Sequence, residues 1–254
     1  MKLEVLQNTR IIKSLIIFFS IGLMLCSTQD LQAQKKKGKT SVLVVRGGHP
    51  YDTPDFEEMC GKLKGVKADL VLTAHFNSMK VAQIKENYDA ILFLNQNKYY
   101  EESGRSKKKY VELTKEGVGM VFLHFTLSSQ PKWDTYHDII GGKWFLRSHT
   151  KDKNKVSTYF MDKTVNIKVA AKDHPITDGI QDFSLTDTFY GKIYMNPNVT
   201  TLLISEDPKV GPSLAWVHKY NSSNIVYIIP GYTKKAYEDK NYRKLVANAF
   251  HYVK

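Results

Sequence analysis

The feature that most constrains this 254-residue chain is a series of short, continuous apolar runs, each closed by a polar or glycine-rich turn. Ser41-Val42-Leu43-Val44-Val45 runs into Arg46-Gly47-Gly48-His49, Ala90 to Leu94 stops at Asn95, and Gly119 to His124 and Asn224 to Ile229 repeat the pattern. A run without polar alternation has both faces covered, which is the condition of a strand inside a parallel sheet. Asp69 to Thr73 adds a further strand. The segments between these runs carry helical stripes: 55–64, with Phe56, Met59, Cys60 and Leu63 on one side, then 79–86 and 104–116. Strands alternating with helices predict an α/β fold, a doubly wound, mainly parallel sheet flanked by helices. Ligands in such sheets bind beyond the carboxyl ends of the strands. The turns at His49, Asn95 and His124, and the one after the last strand, are therefore the candidate site.

From residue 144 the texture changes. Val165 to Val169, Thr200 to Ser205 and Leu214 to His218 read as strands with few helices between them. The chain closes with a helix on which Tyr242, Leu245, Val246, Ala249 and Phe250 form one stripe. There is no internal repeat and no long linker after residue 40, so residues 41–254 read as one domain. Residues 34–40 read as a flexible basic N-terminus.

Residues 1–33 read as a secretory signal. Arg10 and Lys13 precede an apolar run from Leu15 to Leu25, and Ala33 offers a small residue before the cut. A retained spanning helix would need roughly 20 apolar residues, and lipidation at Cys26 is disfavoured by the bulk of Leu25. The expectation is an exported protein, periplasmic or extracellular, with no transmembrane segment after cleavage. Only Cys60 then remains, which removes an internal disulfide and a cysteine-built metal site. The net charge of +12 comes mostly from scattered lysines, including Lys107-Lys108-Lys109. No basic face interleaved with stacking aromatics accompanies them, which argues against nucleic acid as a partner.

Several stretches, in order and over most of the chain, resemble the ThuA-like (trehalose utilisation) family. They are Val-Leu-Val-Val-Arg-Gly-Gly-His (42–49), Tyr-Asp-Ala-Ile-Leu-Phe-Leu-Asn (88–95) and Gly-Met-Val-Phe-Leu-His (119–124), then Trp133 with Tyr136 and Ile-Ile-Gly-Gly (139–142). His149, His-Pro-Ile-Thr-Asp-Gly-Ile (174–180), Asp187 with Tyr190, Pro212 to Val217 and the closing helix complete the match. The resemblance implies a class I glutamine amidotransferase-like, flavodoxin-like fold and a role with sugars or glycosides. In this sequence the turn after the fourth strand is Leu123-His124-Phe125-Thr126, with neither the cysteine of an amidotransferase nor a Gly-x-Ser-x-Gly elbow.

A histidine stands there instead. His124, His49 and His149, with Asp187, form the candidate catalytic set, and imidazoles suit proton transfer, metal binding or donation to hydroxyls. The three histidines are also the candidate ligands for a divalent metal such as zinc, although no short His-x-x-x-His motif is present. Tyr190, Trp133, Asn95 and Tyr232 are the candidate sugar contacts. His174 reads as a structural loop residue, and His75, His137, His218 and His251 as surface or helix positions. The resemblance implies departures from the family pattern at Phe125, Thr188 and Tyr232, where many relatives carry histidine, an acid and histidine.

Two readings of function follow. One is an enzyme (hydrolase, lyase or isomerase) processing a keto-sugar or disaccharide derivative by acid–base or metal-assisted chemistry, with His124 as base. The other is a non-catalytic carbohydrate-binding or accessory envelope protein, suggested by the three replacements.

Overall fold

The apolar runs form strands, in chain order β1 (Thr40–Gly47), β2 (Val66–Leu72), β3 (Ala90–Asn95), β4 (Gly119–Leu123), β5 (Gly142–Lys143) and β6 (Thr158–Val169). The rest are β7 (Phe183–Gly191), β8 (Tyr194–Met195), β9 (Thr200–Ser205), β10 (Ala215–Tyr220) and β11 (Ser223–Ile228). The helices are α1 (Thr53–Lys62), α2 (Thr73–Ser78), α3 (Val81–Asn87), α4 (Gly104–Lys115), α5 (Asp134–Ile140), α6 (Lys234–Glu238) and α7 (Lys240–Val253). The computed structural model describes residues 38–96, 103–211 and 213–254, and of His149 only the backbone. The expected signal peptide, most of the basic N-terminus and Pro212 lie outside the described residues.

One nine-stranded sheet carries the order β2-β1-β3-β4-β11-β10-β9-β6-β7. Its first five strands pair in parallel: β1 with β2 and β3, β3 with β4, and β4 with β11. Every residue of β3 and β4 is buried, as continuous apolarity requires. The α/β expectation holds, with five of nine strands parallel. From β11 onward the pairings turn antiparallel, through β10 and β9 to the β6–β7 hairpin. β5 and β8 form a separate two-stranded ribbon.

The closing helix behaves as its stripe predicts. The Asp239 carboxylate caps α7 by accepting from the N–H groups of Asn241 and Tyr242, both at 2.8 Å. Tyr242, Leu245, Val246, Ala249 and Phe250 are buried, and the helix packs against β1, β4 and β11. Each large apolar side chain so buried contributes about 1.5–3 kcal/mol.

Three local readings need correction. The expected second strand ends at Leu72, because Thr73 starts α2, an extra helix that precedes the expected one over 79–86, which stands as α3 (Val81–Asn87). Lys109 is not part of a solvated charge run: it is buried, and its ammonium donates to the carbonyls of Phe76 (2.6 Å) and Asn77 (2.8 Å) at the end of α2. His137 lies on a helix, as read, but is buried rather than at the surface. No helix among the described residues is long and apolar enough to cross a membrane.

Cys60 sits on the buried side of α1, and burial pushes its thiol up to about 12. A thiol reagent at mildly alkaline pH should leave Cys60 unmodified in the native protein and label it fully in denaturant. Rapid native labelling, followed by mass spectrometry, would contradict this packing.

Candidate functional site

The site begins with a turn that an ordinary residue adopts reluctantly. At the end of β4 the chain enters a 3-10 turn, His124–Ser128, with His124 at φ 46°. The left-handed region costs a residue with a Cβ about 1–2 kcal/mol, so surrounding contacts must hold it. The Tyr227 hydroxyl, from β11, donates to the His124 carbonyl. Thr126 Oγ1 donates to the Leu123 carbonyl at 2.9 Å, and the Tyr136 hydroxyl to the Thr126 carbonyl at 3.0 Å. The turn therefore presents the His124 ring above the sheet in one orientation.

That ring is almost fully buried. Its Nδ1 lies 2.7 Å from the Ile229 carbonyl, which can only accept, so Nδ1 carries the hydrogen and Nε2 keeps a lone pair. Burial drives the His124 pKa down to about 3; the Ile229 hydrogen bond opposes this and nearby His49 reinforces it. Near neutral pH the imidazole is an uncharged acceptor and a weak base.

His49 follows a very close backbone approach. A Cβ on Gly48 (φ +82°) would fall 2.0 Å from the Gln96 carbonyl oxygen, so only glycine lets the turns after β1 and β3 meet. The Gln96 N–H seals the contact at the Gly47 carbonyl, 2.9 Å away. His49 Nδ1 lies 2.6 Å from the Pro50 carbonyl. Its ring stacks on Phe125 with centroids 4.9 Å apart, and meets Tyr232 edge-on at 5.8 Å.

Tyr232 is placed by Asp187. The Asp187 carboxylate, fully buried on β7, accepts from three consecutive N–H groups after β11: Gly231 (2.6 Å), Tyr232 (3.2 Å) and Thr233 (3.0 Å). Burial pushes this carboxyl up against the pull of those amides. Gly231 (φ +124°) admits no Cβ, which would meet the Tyr242 hydroxyl at 2.1 Å. The Tyr232 ring is thereby laid on His124, with centroids 5.1 Å apart and planes at 27°. Tyr190 tilts against the other side of His124 at 4.7 Å, and Trp144 meets Tyr190 edge-on at 4.9 Å.

These rings enclose a cavity of about 310 Å³ over the carboxyl ends of the parallel strands. His49, His124, Tyr190 and Tyr232, all expected from the sequence, line it. So do Phe125 and Thr188, two of the three positions that depart from the family pattern; Tyr232 is the third. Gln96, Ser128, Trp144, Tyr159 and Met161 complete the wall. Gln96 Nε2 donates to Ser128 Oγ at 2.6 Å, forming a polar side opposite the aromatic one. Among the described residues, no aspartate, glutamate, lysine or arginine lines the cavity. Burial raises the Tyr190 phenol well above its usual value, so it stays a hydroxyl donor.

The other expected residues are elsewhere. Asp187 stands behind the cavity as the support of the Tyr232 loop, with its oxygens turned to backbone amides. Asn95 is buried below, where its amide donates to Thr73 Oγ1 at 3.2 Å and its carbonyl accepts from Ser129 Oγ at 3.1 Å. Trp133 packs on Tyr110 and Tyr136 near α4, with the Lys107 ammonium 5.7 Å from its ring centroid. The His149 side chain lies outside the described residues. Among those described, no three histidine, cysteine or acidic side chains are grouped to hold a metal ion. Gln96 was reachable by the strand-end rule that picked out its neighbour Asn95. Tyr159 and Met161 gave no signal without their strand partner.

Fold and site together define an α/β protein with an aromatic-walled cavity at the carboxyl ends of its parallel strands. A family model described as ThuA, trehalose utilisation, matches residues 41–253, and the chain belongs to that family. Among solved structures, a ThuA-like protein from Parabacteroides merdae superposes with a TM-score of 0.69 at 11% identity, covering 85% of this chain and 90% of that one. A ThuA-like protein from Bacteroides uniformis gives 0.63 at 17% identity, covering 84% and 91%. A cytoplasmic protein from Salmonella typhimurium gives 0.61 at 11%, covering 84% and 98%. No curated protein matches the chain in sequence.

Two predictions follow from the site's electrostatics. The folded His124 pKa of about 3 lies below the unfolded value of about 6.5. In that window the unfolded chain takes up a proton that the folded chain refuses. Stability is complete above it and falls as the pH drops through it, by up to about 1.4 kcal/mol per pH unit for each such histidine. His137, lowered to about 4 chiefly by burial, adds to the slope. Denaturant titrations from pH 7 to 4.5 should show this decline, and His124→Asn, which tolerates the left-handed turn, should flatten it. The second concerns Asp187→Asn, whose NH2 replaces one carboxylate oxygen and so sets a donor against either the Thr233 N–H or those of Gly231 and Tyr232. Each N–H left unpaired costs about 1–3 kcal/mol, so thermal unfolding should shift down by several degrees; an unchanged midpoint would contradict the clasp.

Proposed function

We propose that this ThuA-family protein recognises a neutral sugar or glycoside in the cavity, after export directed by residues 1–33. The observation that carries the reading is the cavity wall: among the described residues it holds aromatic rings, imidazoles and neutral donors and acceptors, with no aspartate, glutamate, lysine or arginine, in a chain whose net charge is +12. A sugar ring offers apolar C–H faces to Phe125, Trp144 and Tyr232, and hydroxyls to His124 Nε2, Tyr190, Gln96 and Ser128. Among the described residues, a phosphate or carboxylate would find no lysine or arginine there. Retaining or inverting glycoside hydrolysis by two carboxyl groups has no counterpart in this wall. The left-handed turn at His124 supports likening the fold to class I glutamine amidotransferases, with an imidazole where that chemistry needs a thiol.

The second reading, processing of a keto-sugar, is favoured by one detail. His49 and His124 both have Nδ1 against a backbone carbonyl, at Pro50 and Ile229, which keeps Nε2 free as a ligand or acceptor. Metal-binding histidines are oriented in this way. A zinc-like ion held there would polarise a sugar carbonyl, with His149 as the proposed third ligand. The low basicity of His124 suits that ligand role better than the role of base.

Trp144 fluorescence and calorimetry test the reading with trehalose, glucose, glucose 6-phosphate and glucuronate. Saturable binding of a neutral sugar is expected, weakened about tenfold in Tyr232→Ala, equivalent to about 1.4 kcal/mol. Tighter binding of the charged analogues, or no binding of any neutral sugar, would overturn it. A divalent ion retained by the purified protein and lost in His49→Ala would establish the second reading in its metal form.

A further inference from the structure

Four large apolar side chains are strongly exposed among the described residues, and two of them, Tyr159 (61%) and Met161 (62%), stand at the mouth of the cavity. They lie on β6 at positions i and i+2, and so on one face. The strand is specially shaped there. Phe160 pairs with Phe189 and Lys163 with Asp187, so that Met161 and Asp162 together oppose Thr188, with Asp162 at φ 46°. This is a β-bulge, a device that re-aims side chains beside a site. β6 meets its other neighbour, β9, only over Ile167–Val169. Its outer half and β7 therefore form a two-stranded arm that carries Thr188 and Tyr190 in the wall and Tyr159 and Met161 at the rim.

We propose that this rim is an aglycone subsite and that the preferred ligand is a glycoside bearing a flat aromatic group, with the sugar ring in the cavity and the aryl group on Tyr159 and Met161. The proposal rests on the sugar-binding reading and adds the substrate class. A ring and a thioether side by side give stacking and sulfur–aromatic contact, and the thioether offers little to hydroxyls. The inner cavity differs, because there each aromatic neighbours a donor or acceptor. An aromatic group therefore fits the rim better than a second, hydroxylated sugar ring.

The test compares methyl and phenyl glucopyranosides, both anomers, with trehalose, by calorimetry on the full domain. The variants are Tyr159→Thr, Met161→Thr and the double variant, with circular dichroism confirming the fold; threonine keeps strand propensity. The expected result is a phenyl glycoside bound about tenfold more tightly than its methyl counterpart, equivalent to about 1.4 kcal/mol. That ratio should fall towards one in the double variant. Equal binding of phenyl and methyl glycosides by the wild-type protein would overturn the subsite and leave the sugar cavity standing. A gain for trehalose equal to that for phenyl, and equally lost in the double variant, would overturn the aromatic assignment in favour of a second sugar ring. No binding of any of the three would reject the sugar-binding reading itself, and the subsite with it. Absence of the aryl preference, together with a wild-type dimer that the double variant dissolves, would reassign the rim to contact between copies.

Discussion

A single buried carboxylate joins the two halves of this sheet. Asp187 belongs to β7, at the far antiparallel edge, while the amides it holds follow β11, the last parallel strand. Three charge-assisted hydrogen bonds offset part of the cost of removing the group from water, and a carboxylate accepting several amides is among the stronger arrangements available. The cavity exists because this clasp draws the β6–β7 arm over the carboxyl ends of the parallel strands. Tyr232 lies on His124 because its own N–H is one of the three held.

The opposite wall depends on a second constraint, the left-handed turn at His124. Tyr227 supplies the link: its ring stacks on Trp216 at 4.4 Å in the core, and its hydroxyl holds the His124 carbonyl. The core thus fixes the orientation of the imidazole, and burial fixes its charge. A histidine exposed at the same turn would titrate near neutrality and serve as a proton carrier. This one is enclosed by Tyr190 and Tyr232 and stays neutral.

What was legible in the sequence follows from how locally each element is specified. β1, β3, β4 and β11 are continuous apolar runs whose burial is written in their own residues, and the turns that close them gave His49, His124 and Tyr232. The hairpin was not legible in the same way. The outer half of β6, Thr-Tyr-Phe-Met-Asp-Lys-Thr, mixes polar and apolar residues around a bulge, and β7 owes its burial to packing rather than to its pattern. Asp187 could be picked out as chemically notable, but its role could not, because its partners are backbone groups 44 to 46 residues away. Trp133 and Asn95 show the converse. Both carry sugar-binding chemistry, and both are consumed by packing.

The three departures from the family pattern gain meaning from their placement. Phe125 stacks on His49, Tyr232 on His124, and Thr188 stands opposite the bulge. Replacing histidine, acid and histidine at these points removes titratable groups from one small volume and adds two aromatic faces. A buried charge without a partner is expensive, so a wall with fewer titratable groups raises the cost of desolvating a charged ligand. It also encloses His124 in rings that shed water and weaken its hold on a proton. Relative to that pattern, the same substitutions remove proton carriers that acid–base chemistry would use, and among the described residues they leave the Nε2 lone pairs of His49 and His124 in the wall.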